Sequence, residues 1–231
     1  MKANVSVLIP VHNYAAYIGE AIESVLKQTV PAMEIIVVDD GSTDGSGSIA
    51  ASYPGVRCYT FPQQGVATAR NRLVEYATGD YVAFLDADDL WLQDRLEKQM
   101  AYLAAHPTCE VVFCRYRNFT DLPEGELTQR QRRVLSVEID QNLTGACIKR
   151  SLFDRCGLFD AKYQYGEDTE WLTRLKICGV DLSHCLEEVL YLRRIHANNL
   201  TLSHETQDQK AIMSLMADAI RNAQRRRKDP G

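Results

Sequence analysis

From Val5 to Leu103 the chain alternates short β-branched runs with apolar stripes at helical spacing, and this rhythm narrows its fold more than any other feature. Val5 to Val11 reads as a buried strand, after which Ile18, Ala21, Ile22, Val25 and Leu26 fall on one helix face. Glu34 to Val38 (EIIVV) is a second strand, closed by Asp39, Asp40 and Gly41, with Ser42 and Thr43 placed to cap the next helix. Val56 to Phe61 is a third strand, followed by Val66, Ala69, Leu73 and Ala77 at helical spacing. Tyr81 to Leu85 is a fourth, and Leu92, Leu96, Met100 and Leu103 mark a helix that begins near Leu90. Alternation of this kind predicts an α/β fold: a Rossmann-like, mainly parallel central sheet flanked by helices. Ligands then collect beyond the carboxyl ends of the strands.

The second half has a weaker rhythm. Val111 to Tyr116 reads as a strand, Asp121 to Arg133 as a polar loop, and Cys185 to Ile195 as extended chain. Trp171, Leu172, Leu175 and Cys178 define a helix whose amino end carries Glu167 and Asp168. The segment from Glu205 has Ile212, Leu215, Met216, Ala219 and Ala223 on one face and finishes in RRRKDPG.

Composition excludes several classes. At 231 residues, 45% hydrophobic and 25% charged, the chain is sized and composed for one folded, water-soluble unit. A net charge of -5 gives no basic footprint for a polyanion, so nucleic acid is not expected as a partner. Seven scattered cysteines without a C-x-x-C pair suggest neither a disulfide framework nor a zinc site, and fit reduced cytosolic thiols. No apolar run approaches the ~20 residues that span a bilayer, and the amino terminus lacks a signal-peptide core. The sequons at Asn4, Asn118, Asn142 and Asn199 have no secretory context.

Four clusters carry possible chemistry. Asp39 and Asp40 follow a buried strand, where a carboxylate can accept from a base N–H or a sugar hydroxyl; the competing reading is a turn and helix cap. In FLDADD, Phe84 to Asp89, three carboxylates crowd into four residues, and a divalent cation is the simplest compensation. Asp86 and Asp88 straddle one residue and reach one metal, while Asp89 is explained by a helix amino end. Gly166-Glu167-Asp168 offers either a cap or a general base; spacing alone favours the cap. Arg193-Arg194-Ile195-His196 ends a strand and offers cations and an imidazole to a metal or a diphosphate.

In their order along the chain these clusters resemble one family. SVLIPVHN (Ser6 to Asn13), IIVVDDGSTDGS (Ile35 to Ser46), GVATARN (Gly65 to Asn71), TGDYVAFLDADD (Thr78 to Asp89), GED (Gly166 to Asp168) and RRIH (Arg193 to His196) are similar to family 2 glycosyltransferases of the GT-A fold, over about residues 4 to 200. The resemblance implies that Asp40, with Asp39 beside it, recognises the uracil of a UDP-sugar. His12 stands where the family often stacks a Tyr on the base, and Pro10 lines the same pocket. Arg70 matches a basic residue near the phosphates. Asp86 and Asp88 match the D-x-D motif that holds diphosphate and ribose through Mn2+ or Mg2+. Asp168 matches the general base, and His196 the carboxy-terminal His that closes over metal and diphosphate.

The expectations that follow are an inverting, metal-dependent transferase moving a sugar from a nucleotide diphosphate to the hydroxyl of a glycan or glycolipid. The family's context is bacterial polysaccharide or glycolipid assembly in the cytoplasm, with peripheral contact at the inner face of the membrane left open. The expected organisation is one GT-A domain over 1–204. About 1–100 form the nucleotide-sugar half and about 101–204 a mixed acceptor half, followed by an amphipathic helix and basic tail over 205–231. The tail reads first as a solvated terminus and second as a dock for anionic lipid. Oligomeric state stays open between monomer and homodimer. Two alternatives compete. A sugar-nucleotidyltransferase carries a Gly-rich basic loop after its first strand, where this chain has VHNYAAY. A binding protein without turnover is disfavoured by the presence of Asp168 with Asp86 and Asp88.

Overall fold

The computed structural model describes residues 3–136, 138–139, 142–163 and 165–196; the expected helix and tail over 205–231 lie outside them. The chain runs β1 (Ala3–Val11), α1 (Ile18–Leu26), β2 (Ala32–Asp40), α2 (Ser46–Ala51), β3 (Val56–Phe61), α3 (Val66–Tyr76), β4 (Tyr81–Phe84), β5 (Leu90–Trp91) and α4 (Arg95–Ala105). It continues through β6 (Val111–Phe119), α5 (Gln129–Leu135), β7 (Glu138–Ile139), β8 (Cys147–Lys149), α6 (Ser151–Cys156), α7 (Glu167–Ile177) and β9 (Cys185–Arg194).

One sheet carries these strands in the order β3-β2-β1-β4-β8-β6-β9-β5, with β7 beside β6. β1, β2, β3 and β4 are mutually parallel where they pair. Beyond β4 the pairs are antiparallel except for β6 with β9, which gives the mixed second half expected from sequence.

The strands alternate by twos between two buried layers, so the runs are apolar throughout. Val7, Ile9, Ile35 and Val37 meet α1 and α4 through Ile22, Val25 and Leu96. Leu8, Ile36, Val38 and Phe84 meet α3, α6 and α7 through Leu73, Phe153 and Trp171.

The order β1, β2, β3 runs outward, and β4 then returns to the other flank of β1, which makes the carboxyl ends of β1 and β4 a topological switch point. Pro10 marks the opening. The Leu8 carbonyl accepts from Leu85 N–H, so residues of that parity turn their backbone toward β4. Pro10 shares the parity but lies past the last β1–β4 pair, Leu8 with Phe84, where its missing N–H leaves no ladder bond unmade.

Three local expectations are corrected. The fourth helix begins at Arg95 rather than near Leu90, because Leu90 and Trp91 pair with Leu192 and Tyr191 as an edge strand. Ser42 and Thr43 do not cap α2, whose boundary residue is Gly45. Within Asp121 to Arg133 there is a 3-10 turn at Glu124–Glu126 and the start of α5, closed by a capping box. Gln131 N–H donates to Thr128 Oγ1 (3.2 Å) while Thr128 N–H donates to Gln131 Oε1 (2.9 Å). Among the described residues no helix is long and apolar enough to cross a membrane.

Candidate active site

The loop after β1 is shaped by Asn13, the only described non-glycine residue with positive φ (59°). Its N–H donates to Ser42 Oγ (3.0 Å), and its Oδ1 accepts from Thr43 N–H (2.8 Å). Tyr14 N–H donates to Ser46 Oγ (2.9 Å) and Ala15 N–H to Asp44 Oδ2 (2.9 Å). Ser42 and Thr43 therefore latch the β1–α1 loop and do not cap α2, whose first N–H, that of Ser46, goes instead to Asp44 Oδ1 (3.0 Å).

His12 stands at the mouth of this latch. Asn13 and Gln63 side-chain amides both approach its Nε2 at 3.1 Å, so Nε2 accepts and Nδ1–H donates to the Asp40 carbonyl (2.9 Å). Asp39 and Asp40 end β2 and are buried. Asp39 Oδ1 accepts from Ser42 N–H (2.8 Å), and a Cβ on Gly47 would lie 2.2 Å from Oδ2, so only glycine fits there. Asp40 holds the β3–α3 loop: Oδ1 takes Gln64 N–H (2.9 Å) and Oδ2 takes Gly65 N–H (2.7 Å). Each oxygen keeps a further lone pair for a ligand N–H.

The acidic turn follows β4. Arg70 on α3 is 5% exposed and pairs with Asp86 Oδ1 through Nη2 (3.1 Å) and with Glu167 through Nη1. Removal from water pushes the Asp86 carboxyl up, Arg70 pulls it back, and the Asp88 charge pushes again, leaving it raised. Burial likewise raises Glu167 against the pull of Arg70. Asp88 Oδ2 lies 3.0 Å from His196 Nε2. Arg194 Nε donates to the Asp88 carbonyl (2.9 Å).

Asp89 is not a helix cap. Tyr191 Oη–H donates to its Oδ2 (2.7 Å) and Arg194 N–H to its Oδ1 (2.8 Å), which ties β9 to the turn. Burial first, then Asp88 and Asp86, push its carboxyl well up.

Asp168 is half-buried in the first turn of α7, next to Glu167. The boundary residue is Gly166 (φ 75°), which brings no capping side chain, and Asp168 Oδ1 accepts from Thr169 N–H at 2.7 Å.

The switch point thus brings together the ends of β1, β2 and β4, which carry Pro10, His12, Asp39, Asp40, Asp86 and Asp88. Arg70 reaches this group from α3, Glu167 with Asp168 from α7, and His196 from beyond β9. Sequence reasoning missed Tyr14 and Tyr17. The Tyr17 ring lies 4.9 Å from His196, and the Tyr14 ring meets it edge-on at 5.8 Å. Burial first, then the charges of Asp88, Asp86 and Asp89, push the Tyr14 hydroxyl far up. The tyrosines directly after His12-Asn13 were the available signal.

Among the described residues no three His, Cys, Asp or Glu side chains form a metal-holding group by themselves. The two carboxylates of the turn, Asp86 and Asp88, are the kind of donor that Mn2+ and Mg2+ take from a protein. Such ions commonly take one or two carboxylates and complete their shell with substrate phosphates and water.

The sequence model described as glycosyl transferase family 2 matches residues 6–160. An uncharacterized glycosyltransferase of Rickettsia typhi is 32% identical over 206 residues, covering 83% of this chain and 64% of its own. TuaG of Bacillus subtilis, a putative teichuronic acid biosynthesis glycosyltransferase, is 42% identical over 120 residues, covering 50% of this chain and 47% of its own. The structure of Staphylococcus aureus TarS with UDP-GlcNAc superposes with a TM-score of 0.75 at 22% identity, over 95% of this chain and 66% of that one. The mannosyltransferase PcManGT of Pyrobaculum calidifontis with GDP-Man and Mn2+ gives 0.69 at 24%, over 96% and 65%. The chain therefore spans about two thirds or less of the length of these relatives, and the fold is of the GT-A type.

Proposed function

Because the chain belongs to glycosyl transferase family 2, we propose that it transfers a sugar from a nucleoside diphosphate donor, UDP-linked, to a hydroxyl acceptor with inversion at the anomeric carbon. The observation that carries this reading is the joining of the Asp86-Ala87-Asp88 turn to both the His196 end of β9 and the Glu167-Asp168 end of α7.

In this reading the uracil N–H adds to the loop amides on Asp40, and the His12 ring lies against the base within the pocket of Pro10 and Asp39. Arg70 stands on the phosphate side of the pocket, next to Asp86. Asp86, Asp88 and His196 would hold Mn2+ or Mg2+, which supplies neutralisation of the charge that develops on the leaving diphosphate. Asp168, held near this turn through Glu167 and Arg70, removes the acceptor's proton as the hydroxyl attacks from the face opposite the leaving group. In-line attack inverts the anomeric carbon without a covalent enzyme intermediate.

The names of the relatives support a setting in bacterial polysaccharide assembly: TuaG is ascribed to teichuronic acid biosynthesis. The test is the melting temperature of the chain with Mn2+ and a panel of UDP-GlcNAc, UDP-glucose and GDP-mannose, repeated in EDTA. The reading expects a rise with a UDP-sugar that EDTA removes. No rise with any donor, or equal rises in EDTA, would contradict it.

A further inference from the structure

Arg70 has more connections than a residue that simply faces phosphate. Its Nη2 lies 3.1 Å from Asp86 and its Nη1 pairs with Glu167, 97 residues away in sequence. Its Nε is buried and meets no acceptor. The guanidinium rests against a pair of rings, 5.9 Å from the centre of Phe84 and 6.0 Å from that of Phe159. Both rings belong to one aromatic layer, since Phe159 is 5.7 Å from Phe84 and 5.3 Å from Trp171 of α7. Asn71, the next residue on α3, clasps the same segment: its Nδ2 donates to the Phe159 carbonyl (2.8 Å) and its Oδ1 accepts from Phe159 N–H (2.9 Å).

We propose that Arg70 is a positioning residue that sets the Asp86 carboxylate and the amino end of α7 as one unit, without itself binding the diphosphate. The inference rests on the proposed function, because it deepens the same site. A planar guanidinium is the side chain that can engage two carboxylates from two elements at fixed angles, whereas an ammonium acts as a point charge. Nη1 and Nη2 each face a carboxylate, Nε is buried, and the side chain is only 6% exposed, so the burial of the guanidinium rather than its pairing keeps it from the phosphates. Arg70 belongs to the donor half through β4 and to the acceptor half through Phe159 and Glu167. Its place therefore fixes the distance between the group that takes the acceptor's proton and the carboxylate that faces the leaving group.

Calorimetry of UDP binding to the full chain, with Mn2+ and with EDTA, tests this on wild type, Arg70→Gln, Arg70→Lys and Glu167→Gln. Wild type must first show tighter UDP binding with Mn2+; if it does not, the proposed function fails, and the fault does not lie with Arg70. Given that gain, Arg70→Gln should keep its UDP affinity in EDTA within about twofold and lose about tenfold of the Mn2+-dependent gain. Arg70→Lys should not restore it. Loss of UDP affinity in EDTA, recovered by Lys, would make Arg70 a phosphate contact and overturn the inference. If Arg70→Gln does not fold, Glu167→Gln decides. It should bind UDP and Mn2+ as wild type does and lower kcat about tenfold with the donor KM unchanged, whereas unchanged kcat would overturn the proposal.

Discussion

His196 Nε2 lies 3.0 Å from Asp88 Oδ2 although 108 residues separate them. The contact fastens the end of β9 over the acidic turn, and the Tyr17 and Tyr14 rings at 4.9 and 5.8 Å complete the enclosure. His196→Ala should cost about tenfold in Mn2+-dependent UDP affinity, about 1.4 kcal/mol, and lower the melting temperature as well, since it removes a buried, packed side chain. Titration of UDP in Mn2+ and in EDTA checks this; equal losses in both would make the imidazole a packing element.

Asp89 is the turn's structural member. Removing its carboxylate strands the buried Tyr191 hydroxyl and the Arg194 N–H, each costing about 1 to 3 kcal/mol when unsatisfied. Asp89→Ala should therefore lose about 2 to 4 kcal/mol in urea unfolding, and Tyr191→Phe about 1 kcal/mol. A neutral Asp89→Ala would refute the tie between the turn and β9.

Glu34 gives a pH dependence remote from the site, at the opposite end of the parallel strands. Burial pushes its carboxyl up, but hydrogen bonds from Ser6 Oγ (2.5 Å) and from Thr78 N–H (2.7 Å) and hydroxyl (3.0 Å), with the charge of Arg57, more than offset that and leave it lowered. A lowered carboxyl stabilises the fold fully above the unfolded-state value. That contribution is lost as pH falls through the folded value, so it fades on the acid side of about pH 4.3. Glu34→Gln should flatten this acid slope, cost about 1 to 3 kcal/mol at neutral pH, and leave UDP binding unchanged. Stability profiles of the two proteins from pH 3 to 7 make the comparison.

The proposed function gives the neighbours Asp168 and Glu167 different tasks. Asp168→Asn should fold, bind UDP and metal as wild type does, and lose about 10²-fold to 10⁴-fold in transfer. Glu167→Gln should lose less, since it acts through Arg70. A larger loss at Glu167 would move the base by one position.

Much of this was legible because continuous β-branched runs report strands buried on both faces of a parallel sheet, and helical stripes report the helices that cover it. The strand ends therefore pointed to the Asp39-Asp40 pair and to Asp86 with Asp88, whereas His12 entered only through the family resemblance. What was not legible depends on partners distant in sequence. Leu90 and Trp91 fit a helical stripe as well as a strand, and only pairing with Leu192 and Tyr191 decides between them. Asp89 reads as a cap until Tyr191 and Arg194 are brought to it. Ser42 and Thr43 have the chemistry of caps but are engaged by Asn13. The capping box of Thr128 and Gln131 was present in the sequence and hidden by the polarity of its surroundings.

The central claim is metal-assisted transfer from a nucleoside diphosphate sugar, and release of UDP from a UDP-sugar with a hydroxyl acceptor tests it most directly. Wild type, Asp86→Asn, Asp88→Asn and Asp168→Asn would be compared in Mn2+ and in EDTA. The account predicts release by wild type in Mn2+ alone, and loss in all three variants. It also predicts that Asp168→Asn still binds UDP in a Mn2+-dependent way. Release that persists in EDTA, or in Asp86→Asn and Asp88→Asn, would contradict it.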